Sequence, residues 1–183
     1  MTYIPYRLIR SSRKTLSIQI TPAGEVLLRC PNRMPKREAE AFLESKRQWV
    51  EKHLSSQKPV VPLTADELDW LVDAAKEDLP QRVSRLAVQL DVTYGPITIR
   101  SQHTRWGSCS ADGNLSFNCL LMFAPESVQD YVVVHELCHR KHMNHSPAFW
   151  AEVEKVLPDY RLQKAWLKEQ GTSLLARLPD TQK

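Results

Sequence analysis

The sequence predicts an α+β fold in which a histidine-bearing helix packs on a small mixed sheet, behind an N-terminal hairpin-and-helix subdomain. Three observations lead there. Short runs with strand-like alternation occur in two groups, one before residue 30 and one between Ile97 and Asn118. Stretches with helical apolar spacing lie between and after them. Near the end of one such stretch stands His135-Glu136-Leu137-Cys138-His139, whose four-residue histidine spacing only makes chemical sense on a helix.

Residues 3–30 read as strands. Leu16, Ile18 and Ile20 alternate with polar residues, Pro22-Ala23-Gly24 supplies a turn, and Val26 to Cys30 return. Pro35 then opens a helix. Glu38 and Glu40 lie near its start, Lys52 and His53 near its end, which suits the helix dipole. Its apolar face is Ala39, Phe42, Leu43, Trp49, Val50 and Leu54, so Trp49 is assigned to the core. Ser55 to Leu63, with Pro59 and Pro62, is a short stiff connector. The resulting division is a subdomain over 1–58, a linker over 59–64, a core over 65–171 and a tail over 172–183.

In the core, Thr64 and Glu67 form a capping box for a helix carrying Leu68, Leu71, Val72 and Ala75. Pro80 breaks or kinks that helix, and Val83, Leu86, Ala87 and Leu90 continue its apolar face up to Tyr94-Gly95-Pro96. Ile97 to Arg100 is a strand. Asp112-Gly113 marks a hairpin turn between Arg105-Trp106-Gly107-Ser108-Cys109 and Leu115-Ser116-Phe117-Asn118. From Pro125 the chain is helical through the histidine motif. A further helix buries Phe149, Trp150, Val153 and Val156, Pro158 interrupts it, and Gly171 stops the last helical piece.

His135 and His139 share one helix face, where two imidazoles can grip one small cation, and Glu136 stands next to the first of them. This HExxH pattern pairs two metal ligands with a general base. A catalytic zinc takes a third protein ligand and leaves a fourth position for water. His142 continues the same stripe, and three ligands on one straight stripe lie nearly in line, which does not make three corners of a tetrahedron. His145 differs. Asn144 tolerates the left-handed conformation that ends helices, and Ser146-Pro147 suits the start of a new one. His145 therefore falls in a corner and is the preferred third ligand, with His142 and Glu152 as alternatives. The His139-to-His145 spacing equals the metzincin one, but His142 occupies the position of the turn glycine and no Met-turn is evident.

The chain of 183 residues suits one domain with an appendage. No leader or membrane-spanning run is evident, and Cys30, Cys109, Cys119 and Cys138 show no CxxC pairing, so the expectation is a cytoplasmic protein with reduced thiols and no membrane partner. The net charge of +4 is uneven. Residues 1–58 hold 12 Lys+Arg against 5 Asp+Glu, or +7, while the remainder holds 13 against 16, or −3. A nucleic-acid partner fits that basic half, but so does a solvated basic face, and no nucleic-acid motif accompanies it.

Arg105 to Ser110 (RWGSCS), Asn118 to Leu121, the Tyr131–His139 run (YVVVHELCH) and Asn144 to Trp150 (NHSPAFW) together resemble the YgjP-like metal-dependent hydrolases, relatives of the SprT and WLM proteins. The resemblance covers nearly the whole chain and is densest from Ile97 to Trp150. It implies a zincin-like core with His135, His139 and His145 as ligands of one Zn2+, or another divalent transition metal, and Glu136 as catalytic base.

A metallopeptidase on this plan uses Glu136 to activate metal-bound water against a peptide carbonyl. The hairpin edge would hold an extended peptide, with Arg105, Trp106, Asn118 and Tyr131 as substrate-binding candidates. A second reading, also attached to YgjP-type proteins, is release of pyrophosphate from UTP at the same metal. Against it, triphosphate chemistry favours magnesium with oxygen ligands, whereas imidazoles favour zinc. A third is a DNA-associated protease or binding module recruited through the basic N-terminal half. Cys109 is read as a small packing residue, with thiolate capping of the metal as the alternative.

Overall fold

The computed structural model describes residues 4–21, 24–56 and 60–179. The chain divides into two compact units, Met1–Val61 and Pro62–Lys183. In the first, β1 (Tyr6–Ser11), β2 (Ser17–Ile20) and β3 (Val26–Pro31) form a sheet of order β1-β3-β2. β2 and β3 pair as an antiparallel hairpin, with Ile18 opposite Leu28, and β1 runs parallel to β3. Val26, Leu28 and Cys30 on β3 are fully buried, as a central strand requires. Of the predicted hairpin turn, Pro22 and Ala23 lie outside the described residues, as does Pro59 of the connector.

The single helix expected after Pro35 is two, α1 (Lys36–Ser45) and α2 (Arg47–Ser56), separated at Lys46. A straight helix of that span would be about 30 Å long, far longer than strands of four to six residues. Breaking it lets α1 pack on β3 and α2 on β2. Ala39, Leu43 and Val50 face the core. The break also shifts the phase of α2, so Trp49 is 44% exposed and rests on the His53 ring instead of entering the core.

The second unit opens with Thr64, whose hydroxyl and backbone N–H complete a capping box with Glu67. α3 (Ala65–Leu90) runs without interruption through Pro80. The lost N–H costs one bond, to the exposed Lys76, while Leu79 and Val83 on either side of Pro80 are fully buried and hold the helix together. It ends where Asp91 takes a left-handed φ of 52°, ahead of the Tyr94-Gly95-Pro96 stop.

β4 (Ile97–Arg100), β5 (Gly107–Cys109) and β6 (Leu115–Asn118) form a mixed sheet of order β4-β6-β5, which leaves β5 as an edge. The β5–β6 turn uses Gly113 at φ 86°. A 3₁₀ turn over Cys119–Phe123, unforeseen in the sequence, buries Cys119, Leu120 and Leu121. Then follow α4 (Glu126–Cys138), α5 (Pro147–Val156) and α6 (Tyr160–Leu175). α3, α4, Phe117 and Phe149 contribute to one core.

Gly171 does not stop the last helix. It lies inside α6 because the Trp106 indole packs there, only 3.1 Å from where a Cβ would stand. The predicted tail is likewise structured through Leu178, which is buried, and the Arg177 carbonyl accepts a hydrogen bond from the Leu63 N–H. Among the described residues, no helix is long and apolar enough to cross a membrane.

Candidate metal centre

α4 is apolar on every side over Tyr131–Val134 because α3, α5, α6 and β5 surround it. It ends at Cys138, and His139 is its C-cap, still right-handed at φ −65°, ψ −15°. The two rings of the motif therefore remain one turn apart, with centroids 5.1 Å from each other. The corner that follows is not built on a left-handed Asn144, since Asp91 is the one non-glycine residue with positive φ among those described. Instead the chain tightens over His139–Lys141 with short-range backbone bonds, and the Asn144 side chain accepts from the Ser146 N–H. Ser146 caps α5 and Pro147 starts it.

This corner brings His145 back over the motif. Its Nε2 lies 3.0 Å from the Nε2 of His135. One nitrogen from each of His135, His139 and His145 falls within 4.8 Å of the others, and among the described residues this is the one such cluster of metal-ligating groups. Donors about 2.0–2.1 Å from a tetrahedral ion stand roughly 3.4 Å apart, so the arrangement fits a small divalent cation after slight contraction or expansion. The Nδ1–H of His139 donates to the His142 carbonyl at 3.0 Å, which leaves Nε2 with its lone pair facing the cluster. The Nδ1 of His135 is buried without a partner.

Burial, then the neighbouring His139, His145 and Lys164, pushes His135 down to about 3. His145 is lowered by burial first and then by His139 and Lys164. Both rings are thus kept neutral, the form a ligand must have. Phe149, fully buried, sits under all three rings, with centroid distances of 4.9, 4.7 and 4.9 Å to His135, His139 and His145. The ammonium of Lys164 rides 4.0 Å over the Trp150 ring, which itself stacks 5.9 Å from His145.

Glu136 is only 6% exposed, and burial pushes its carboxyl up to about 7, with Arg105 pulling weakly the other way. It faces Gly107 of β5. A Cβ at that position would stand 2.7 Å from Oε1 and 2.8 Å from Cγ, so any larger residue would displace the carboxylate or the strand. A cavity of about 300 Å³ lies between them, lined by Gly107, Ser108, Cys109, the three histidines, Glu136 and Met143.

Neither alternative ligand joins the cluster. His142 contributes its carbonyl to His139, and Glu152 is tied up with Lys141 and Lys155, which hold its carboxyl down at about 2. Of the four substrate-binding candidates, Arg105 alone is exposed. Asn118 is buried and spends both amide protons on the Gln102 and Arg105 carbonyls, while its Oδ1 accepts from Leu120, so it holds the strand end instead of a substrate. Tyr131 is buried behind His135 and stacked on Tyr160, its hydroxyl pushed up to about 12. Trp106 packs on α6 at Gly171. Cys109, read as packing, lines the cavity half-buried, its thiol raised chiefly by burial. Cys138 is buried, and burial pushes it to about 12.

Three further residues escaped the sequence reading. Arg140 donates to the carbonyls of Thr93 and Ala111, fastening the β5–β6 hairpin to the end of α4. Gly107 could have been found, since a glycine inside a strand often marks close backbone approach. Lys164 carries no motif that would single it out.

A search of curated proteins found no match. Among solved structures, the chain is similar to the metallopeptidase zymogen jannalysin of Methanocaldococcus jannaschii, at 20% identity and a TM-score of 0.46, over 51% of this chain and 97% of that one. It is also similar to the metallopeptidase zymogen abylysin of Pyrococcus abyssi, at 24% identity and a TM-score of 0.45, over 51% and 92%. The family described as YgjP-like, metallopeptidase domain, matches residues 14–68 and 66–170, and to that family the chain belongs.

Proposed function

We propose that this protein is a zinc-dependent peptidase in which His135, His139 and His145 hold the metal and Glu136 is the general base. One observation carries the reading: a buried carboxylate poised near neutrality stands beside three converging imidazoles, across a cavity from an edge strand. Zinc, when bound, would supply a Lewis acid for the scissile carbonyl and an acidified water.

The chain's own residues do the rest. Glu136 accepts the proton of the attacking water and delivers it to the departing amine, and a pKa near the working pH suits it to both transfers. Phe149 and the His139–His142 bond hold the rings in place. The outer edge of β5 offers backbone N–H and C=O groups to an extended peptide, and Gly107 keeps that edge close to the carboxylate. Arg140 secures the strand in that position.

The test incubates the zinc-loaded protein with unstructured peptides and, separately, with nucleoside triphosphates, each beside Glu136→Gln. Peptide cleavage that disappears in Glu136→Gln is the expected result. Pyrophosphate release dependent on Glu136, without peptide cleavage, would replace this reading with the nucleotide one. A His145→Ala protein that retains stoichiometric zinc would refute the third ligand.

A further inference from the structure

The open face of the second sheet carries an unusual set of side chains. Thr98, Ser116 and Ser108 lie in register across β4, β6 and β5, forming a row of hydroxyls. Arg100, on the same face of β4, and Arg105, just before β5, border it. Together they line a groove of about 710 Å³ with no Asp or Glu in its wall. Among the described residues, neither arginine is in a salt bridge. The groove meets the metal cavity at Ser108 and Cys109, which line both. Lys164, held over the Trp150 ring, is likewise in no salt bridge among the described residues.

Resting on the peptidase reading, we infer that Arg100 and Arg105 select acidic polypeptide substrates, by binding the carboxylates that a strand paired with β5 projects over the open sheet face. The argument is one of geometry. An extended peptide added to β5 sends alternate side chains to opposite faces of the sheet. One set points to the cavity side, and the other stands on the face of Ser108, where an acidic side chain laid inward over β5 meets Arg105 first and the outstretched Arg100, on β4 beyond β6, second. A guanidinium offers paired N–H donors that match a carboxylate, and the serine and threonine hydroxyls add further donors. A basic or neutral segment would leave both arginines without that partner. The charge of Arg105 already reaches Glu136, so the groove and the reacting centre share one electrostatic environment.

The experiment uses the full-length zinc-loaded Glu136→Gln protein, which binds without turning over, and two labelled peptides read by fluorescence anisotropy. The peptides are identical except for Glu or Gln at every second position. The Glu peptide is expected to bind about tenfold more tightly, the scale of one charge-assisted contact. That preference should vanish when Arg100→Gln and Arg105→Gln are combined, with zinc content and unfolding temperature unchanged. Equal affinity for the two peptides overturns the inference alone, as does a preference that persists in the double variant. Failure to bind either peptide overturns the peptidase reading as well. A short single-stranded RNA that outcompetes the Glu peptide, and loses this ability in the double variant, would assign the groove to nucleic acid and overturn the inference.

Discussion

Gly107→Ala would separate the role proposed for Glu136 from that proposed for the histidines more cleanly than any change to a histidine. A Cβ at 107 would stand 2.7 Å from the Glu136 Oε1, where ordinary contact begins at 3.4 Å, so about 0.7 Å must be found. Glu136 cannot retreat far, because it is 6% exposed and its helix packs against α3, α5 and α6. Either the carboxylate rotates off the path of the water or β5 lifts away from it. A displacement approaching 1 Å in a reacting group costs on the order of a hundredfold in rate. The three atoms nearest this Cβ all belong to Glu136, so the strain falls first on that residue and zinc affinity should stay near that of the parent. The assay is kcat/KM for peptide cleavage, with zinc stoichiometry and thermal unfolding measured on the same sample. An alanine variant that cleaves at the parent rate with full zinc would refute the assignment of Glu136 as a base held against β5.

Three further outcomes follow from the same packing. Phe149→Ala removes the floor beneath the histidines and should cost about 3–5 kcal/mol in chemical denaturation, with weaker zinc binding as a second readout. In the metal-free protein, Glu136 keeps its proton up to about pH 7 when folded but only to 4.5 when unfolded. The folded chain then holds more protons across that window, so this group's contribution to stability falls as pH rises through it, by on the order of 3 kcal/mol. Comparing parent with Glu136→Gln isolates it from the opposing titration of His135, and a difference that stays constant from pH 4.5 to 7 would contradict the burial of the carboxyl. Thr64→Ala removes the hydroxyl that accepts from the Glu67 N–H and donates to its carboxylate, leaving only the backbone half of the box, and should lower stability by about 1 kcal/mol, read from denaturant midpoints.

Much of this architecture is legible in the sequence because it is written in local rules. The capping box at Thr64, the Asp112-Gly113 turn and the Ser146-Pro147 helix start each depend on neighbouring residues, and the structure has them. The four-residue spacing of His135 and His139 is similarly local. The misses have a common origin in tertiary packing. Pro80 does not break α3, because the buried residues around it outweigh one lost bond. Gly171 serves the Trp106 ring, a partner 65 positions away in the chain. Trp49 is exposed because helix length is limited by the sheet it covers. At the site, periodicity could not reveal that Asn118 and Tyr131 are buried, nor that Arg140 ties the hairpin down.

The converging imidazoles all come from residues 135–145. An ion gripping them closes only very short loops, so it removes little conformational freedom from the distant parts of the unfolded chain. Chelation should accordingly act as a regional event. The α4–α5 corner would slacken while α3 and both sheets stay folded, and hydrogen exchange would quicken there first. Reloading would then require no refolding of the whole molecule, only the return of one short bend.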